Sequence, residues 1–286
     1  MKKLVEYTIK FEQKSAFPKP ISKELLLGNT LKYGSYTGLH LTDNKVDGGF
    51  FIAYLPTSIG RGIRITQDDE QVKYINLTLK LPTTIEEIKE FIRISITIAK
   101  FWTCSISLDN KHLMLENLNN LEDKFQIKNL NVIKELVNEC IENPYKVVPL
   151  DSAKHTLYFG KEEANLLTPV TKANMFNEWL HAKQEKVVYI PDLVKQEESN
   201  GRIHNFIVVP LDIPCLLPND KERYVSKYHD LEVCFYNEEK ALCFIPYELF
   251  MMYLPKQKVF YFDSYQFLVS DFTMEDISCF LTLKEY

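Results

Sequence analysis

A chain of 286 residues buries on the order of 75% of the surface its unfolded form exposes, so its core needs neither disulfides nor a metal. Its 45% hydrophobic, 13% aromatic and 26% charged residues exclude a disordered or coiled-coil chain. The formal net charge of −5, with Lys and Arg scattered among Asp and Glu, leaves no basic run to release phosphate counterions and argues against nucleic acid as a partner.

Short runs of alternating apolar and polar residues come first, at Leu4 to Phe11, Gly49 to Leu55, Arg61 to Thr66 and Val72 to Leu79. Asp47-Gly48-Gly49, Pro56 and the acidic 67–71 separate them, which predicts antiparallel strands, with a hairpin over Arg61 to Leu79. From Thr83 to Trp102 two periods compete. Ile92, Ile94, Ile96 and Ile98 alternate as in a strand, whereas Ile85, Ile88, Ile92, Ile96 and Ala99 recur at helical spacing. Pro82 and a capping box, Thr83 with Glu86 or Thr84 with Glu87, favour the helix, laid on the preceding sheet. A strand at Cys104 to Leu108, a loop at Asp109-Asn110-Lys111 and a helix from Leu130 to Glu142 follow.

Tyr145 to Ser152, with Pro144 and Pro149 but no Gly/Ser tract, is the expected lobe boundary. The sequence thus predicts an N-terminal α+β lobe over 1–148 and a C-terminal α+β lobe over 149–286, each a mainly antiparallel sheet packed against helices, and the two packed together. In the second lobe the pattern predicts a helix at Lys172 to Gln184, a strand at Val187 to Ile190 and a hairpin tip at 197–201. Further strands are expected at Ile203 to Val209, Leu231 to Tyr236 and Ala241 to Ile245. A short helix at Tyr247 to Tyr253 lies between Pro246 and Pro255. Strands at Lys258 to Phe262 and Phe267 to Val269 precede a last helix opened by Thr273 with Asp276.

The run Gly60-Arg61-Gly62-Ile63-Arg64-Ile65, an acidic turn, a strand, then Leu81-Pro82-Thr83-Thr84 and a long helix resembles the N-terminal part of an uncharacterised bacterial family. That family is known only as a domain of unknown function, of the 4299 type. Asn200-Gly201-Arg202-Ile203, Leu216-Leu217-Pro218, Ile245-Pro246-Tyr247-Glu248-Leu249-Phe250 and Leu254-Pro255-Lys256 resemble its C-terminal part in the same order. The likeness runs from about Tyr54 to the end. It implies the fold and a bacterial origin, and it transfers no catalytic residue.

Local chemistry is sparse. Gly60-x-Gly62 lacks the third Gly and the following helix of a dinucleotide loop, so it is read as a bulge or close strand approach. Gly48-Gly49 is read as a turn. His40, His112, His155, His181, His204 and His229 lack zinc-ligand spacing. Cys104, Cys140, Cys215, Cys234, Cys243 and Cys279 include no Cys-x-x-Cys and are expected as reduced, mostly buried thiols. Cys215 with His204 or His229 is the one grouping for nucleophilic catalysis in the C-terminal lobe, and apolar neighbours make it a packing thiol. Asp68-Asp69 and Glu197-Glu198 are expected at solvated turn tips. Tyr247, Tyr253, Tyr261 and Tyr265 form core, or, if exposed, a partner surface. No window is long and apolar enough for a membrane span, and the start alternates like a strand instead of a signal peptide. A cytoplasmic location is therefore expected. No catalytic, cofactor or metal residue is assigned. The expected role is binding another protein, as an immunity-type inhibitor of a basic toxin or effector; the alternative is an enzyme whose residues converge only on folding.

Overall fold

A computed structural model describes residues 4–284 apart from 16, 68–72, 168–171, 200, 228 and 238–240. The chain divides into two compact units, Met1–Lys186 and Val187–Tyr286, and both are α+β.

The first unit opens with β1 (Glu6–Gln13), α1 (Lys23–Leu27), β2 (Lys32–Thr37), β3 (His40–Asp43), β4 (Phe50–Tyr54), β5 (Ile63–Gln67) and β6 (Tyr74–Lys80). It continues through α2 (Ile85–Phe101), β7 (Cys104–Leu108), β8 (Lys111–Leu113) and α3 (Leu121–Glu142) to the pair β9 (Val148–Asp151) and β10 (Thr156–Phe159), then α4 (Lys161–Leu166) and α5 (Lys172–Glu185). The first eight strands form one 8-stranded sheet in the order β3-β2-β4-β5-β6-β1-β7-β8, antiparallel at every step. β5 and β6 make the expected hairpin; its acidic tip lies outside the described residues. Asp109 and Asn110, at φ 48° and 67°, form the two-residue turn that pairs β7 with β8, a left-handed geometry these residue types tolerate. The strands β2 and β3 were not expected from the sequence, and neither were α1 and β8.

The competition between periods at 83–102 resolves as helix. Thr84 caps it, its Oγ1 accepting from the Glu87 N–H at 3.3 Å. Acidic Glu86 and Glu87 in the first turn and Lys100 in the last complement the helix dipole. A strand would place Phe91 on the face opposite Ile92. The helix instead buries Ile88, Phe91, Ile92, Ile94, Ser95 and Ile98 against the sheet. Burying each large apolar side chain contributes roughly 1.5–3 kcal/mol, which outweighs the fractional helix penalty of β-branched residues. The buried stripe is rotated from the one expected, for Ile85, Ile96 and Ala99 stay partly exposed.

Residues 149–186 belong to the first unit, so the division falls at 186/187 and not at the expected 148/149. The physical reason is a set of long-range bonds: Lys80 Nζ to Asp151 Oδ2 at 2.8 Å, Ala153 N to Gly60 O at 3.2 Å, and Gln184 Nε2 to Gly60 O at 2.8 Å. Pro149, read as a linker residue, lies in β9 opposite Tyr158.

The second unit holds β11 (Leu193–Glu197), β12 (Ile203–Pro210), β13 (Cys215–Pro218), β14 (Glu232–Tyr236) and β15 (Ala241–Pro246). After these come α6 (Tyr247–Tyr253), β16 (Val259–Tyr261), β17 (Gln266–Val269) and α7 (Met274–Lys284). One sheet runs β11-β12-β14-β15, the other β13-β17-β16. β12 and β14 pair in parallel, which requires a crossover, and the stretch carrying β13 supplies it. Ile207, Val209, Val233, Phe235 and Ile245 pack with Phe250, Ile277 and Phe280 of α6 and α7. Residues 187–190, expected as a strand, contribute one bridge, Tyr189 to Cys215. At α7 the expected box forms: Asp276 Oδ2 accepts from Thr273 N at 2.7 Å, and Thr273 Oγ1 accepts from Asp276 N at 3.3 Å.

Candidate functional site

The Gly60-Arg61-Gly62 loop holds an anion, and the anion is the chain's own. Glu87 Oε1 accepts from Arg61 N at 3.0 Å and Glu87 Oε2 from Gly62 N at 2.7 Å, while Thr83 Oγ1 donates to the same carboxylate. Successive backbone N–H groups make such a concavity wherever the chain turns through the left-handed region, and Gly62 has φ +79°. A Cβ at Gly60 would stand 2.5 Å from Thr83 Oγ1 and 2.6 Å from Glu87 Oε2. At Gly60 the close approach is therefore to the start of α2, while Gly62, where a Cβ would stand 2.3 Å from Ile52 Cγ2 of β4, makes the expected close approach to a strand. Arg61, 4% exposed, donates through Nε to Asp151 O at 3.0 Å and through Nη1 to Leu81 O at 3.1 Å. Burial pushes the Glu87 carboxyl up to about 7, against the pull of Thr83, Gly62 and Arg61. Burial lowers Arg61 to about 10, with Asp151 and Glu87 opposing. Asn129 closes the cluster, accepting from Thr83 N at 2.8 Å and donating to Thr83 O at 2.9 Å. Every donor aimed at Glu87 comes from the protein itself, so this network braces the first unit and offers no ligand a place.

Beside it lies an open cleft of about 360 Å³ lined by Thr57, Ser58, Glu86, Asn177, Glu178 and His181 among others. The 56–60 loop and the first turn of α2 supply one wall, and α5 supplies the other. His181 Nδ1 accepts from the Ile59 N–H at 3.1 Å, and its Nε2 lies 3.9 Å from Glu185 Oε2. Ser58 Oγ donates to Glu86 Oε2 at 3.1 Å. The buried Asn177 Oδ1 has no hydrogen-bond partner among the described residues. Among the described residues no Lys or Arg lines the cleft, whose carboxylates Glu86 and Glu178 give it a net negative field.

The other candidates stay apart or serve packing. Cys215 is fully buried, donates to Ile213 O at 3.3 Å, and burial pushes its thiol up to about 12. His204 instead pairs with Glu232 between Phe206 and Phe244, and His229 with Ser226. His40 and His112 are exposed and His155 is buried. Cys140, Cys234 and Cys243 are buried, Cys104 half-buried and Cys279 exposed, all as free thiols. Among the described residues no group of three His, Cys, Asp or Glu is placed to hold a metal, and no helix is long and apolar enough to cross a membrane. Glu197 and Glu198 are exposed, while Asp68 and Asp69 lie outside the described residues. Tyr247 is buried and donates to Pro218 O at 2.8 Å; Tyr253 and Tyr261 are exposed, and Tyr265 is half-buried.

Sequence reasoning missed Glu86, Asn177 and His181 as one site. The cleft joins residues more than a hundred positions apart, and no spacing rule spans that distance. Glu87 was visible as a capping partner of Thr84, yet its carboxylate turns to the glycine loop instead.

The class is thus a two-unit α+β protein with an acidic cleft in its first unit. The chain matches the family model described as a domain of unknown function, DUF4299, over residues 5–279, and it belongs to that family. The match takes in the N-terminal strands that the sequence motifs left out. No curated protein and no solved structure matches it.

Proposed function

We propose that the chain is a protein-binding protein whose acidic cleft receives a Lys or Arg side chain of a basic partner. A basic toxin or effector fits this chemistry, with the chain acting as its inhibitory partner. One observation carries the reading: among the described residues the cleft is lined by two carboxylates, Glu86 and Glu178, and by no Lys or Arg. An ammonium or guanidinium group supplies donors and the countercharge to these carboxylates in one charge-assisted contact. At the small end of the range for ligand sites, about 300–1,000 Å³, the volume suits one side chain and not a cofactor. The overall negative charge steers a basic partner toward it.

Calorimetry tests this with two acetylated, amidated hexapeptides, one of alternating Gly and Lys, the other with norleucine for Lys. The Lys peptide is expected to bind, and Glu86→Gln with Glu178→Gln to weaken it by about tenfold. Equal binding of the norleucine peptide, or indifference to the double substitution, would refute the reading.

A further inference from the structure

We propose that the outer face of α2 is a groove for an acidic, apolar-studded segment of a partner polypeptide, a surface separate from the acidic cleft and opposite to it in charge. Lys89, Arg93, Ile96 and Lys100 follow one another at steps of four, three and four residues, so they share one side of the helix. They border a hollow of about 500 Å³ together with Ile92 and Glu122.

Partly exposed Ile96 forms the apolar floor, with Ile92 almost wholly buried beneath it, and three cations stand along it, of which Arg93 already answers Glu90. Among the described residues Glu122 is the one carboxylate in the lining. Arg93 is held in place, its Nε donating to Glu90 Oε2 at 2.6 Å and its Nη2 to Leu26 O at 3.1 Å and Leu27 O at 3.2 Å. Lys89 and Lys100 are exposed and make no hydrogen bond or ion pair among the described residues. A second hollow, of about 310 Å³, lies at the C-terminal end of the same helix and adds Lys14 and Lys19 beside Phe101 and Trp102. Folding therefore assembles a basic band that the one-dimensional charge pattern hides.

From Lys89 to Lys100 the helix rises about 16 Å, the reach of roughly five extended residues. Carboxylates at that spacing meet the free ammonium groups of Lys89 and Lys100, and an intervening leucine-type side chain covers Ile96. A nucleic-acid backbone matches the cations but leaves the isoleucine floor uncovered, which favours the polypeptide.

Fluorescence anisotropy on the full chain tests the proposal with a labelled hexapeptide Glu-Leu-Glu-Glu-Leu-Glu. The comparison probes are the same peptide with Ser for Leu, a thymidine hexanucleotide, and vesicles of phosphatidylcholine and phosphatidylserine. The Glu/Leu peptide is expected to bind tightest, to weaken as salt rises, and to lose about tenfold in affinity with Lys89→Glu plus Lys100→Glu. Lys111→Glu, on the edge strand β8, is expected to leave binding unchanged. Both altered lysines are exposed, so the thermal midpoint of the double variant should match the parent and exclude misfolding. Tighter binding of the oligonucleotide or vesicles, equal binding of the Ser peptide, indifference to the double substitution, or no binding at about 1 mM peptide, where a specific site of even modest affinity is filled, would each overturn it. Because neither lysine lines the acidic cleft, failure here is distinguishable from failure of the Lys-peptide experiment.

Discussion

Glu87 is the residue on which the first unit's polar interior turns. Its carboxylate accepts from Arg61 N, Gly62 N and Thr83 Oγ1, so Glu87→Ala leaves Gly62 N and the Thr83 hydroxyl without their acceptor, Arg61 N with Thr83 Oγ1 alone, and Arg61 without one of its two main countercharges, the other being Asp151. Removing one partner of a buried charged network costs about 3–5 kcal/mol, and urea unfolding is expected to show a loss of that order. The pH dependence has a definite sign. The carboxyl is raised from 4.5 to about 7 by burial, so between these values the folded chain holds a proton that the unfolded chain has released. The stabilisation tied to that proton is full below about 4.5 and disappears as pH rises through about 7. Glu87→Gln is expected to flatten this slope in unfolding curves taken across that window, although its amide also places a donor against one of the two backbone N–H groups and lowers stability at every pH. Gly62 carries a related constraint, since its φ is +79° and a Cβ there would stand only 2.3 Å from Ile52 Cγ2. Gly62→Ala is therefore destabilising by sterics and by backbone strain together.

The helix α2 joins the scales, because its first turn faces the acidic cleft, its inner stripe packs on the sheet and its outer side forms the basic groove. Thr84 starts it, accepting from Glu87 N and donating to Ser58 O at 3.3 Å. Thr84→Ala is expected to cost about 1 kcal/mol, the usual loss at an N-cap, read as a lower midpoint in thermal unfolding. Because Ser58 also holds Glu86, the same substitution is expected to weaken Lys-peptide binding without changing affinity for the Glu/Leu peptide. Elements of this kind were legible in the sequence because they carry local rules: a cap and a helical period at α2, prolines bracketing Tyr247–Tyr253, and Thr273 with Asp276 at α7. The N-terminal β2 and β3 were not, for Lys32–Thr37 and His40–Asp43 are short and half-polar, and although they pair with each other across a tight turn, the place of β2 in the sheet is set by β4, about twenty positions further on. The cleft was invisible for the same reason: His181 acquires its meaning only when Ile59 donates to it across 122 positions.

At the scale of the whole molecule, the place where the first unit ends decides which interactions survive truncation. Prolines 144 and 149 suggest a linker, but composition says nothing about where backbone hydrogen bonds go. Beyond residue 148 the chain returns to the sheet. Asp151 answers Lys80, Lys154 O accepts from Leu41 N at 3.0 Å, and Gln184 bridges Gly60 O to Lys154 N at 2.8 Å on either side. A fragment ending at 148 lacks all of these and leaves Lys80, only 7% exposed, without its carboxylate. It also uncovers Ile52, Tyr54 and Ile59, which pack with Ala153. The Lys80–Asp151 pair stands half in solvent, Asp151 being 58% exposed, and contributes about 1 kcal/mol or less; the larger loss comes from uncovering these apolar side chains, roughly 1.5–3 kcal/mol for each one fully exposed, against the roughly 5–15 kcal/mol by which whole domains are stable. A fragment of residues 1–186 is therefore expected to unfold at a clearly higher urea midpoint than one of residues 1–148, and to keep amide protection at Gly60 and Arg61 in hydrogen exchange. Equal midpoints for the two fragments would mean that residues 149–186 contribute no stability to the first unit, and the division at 186/187 would then have no energetic content.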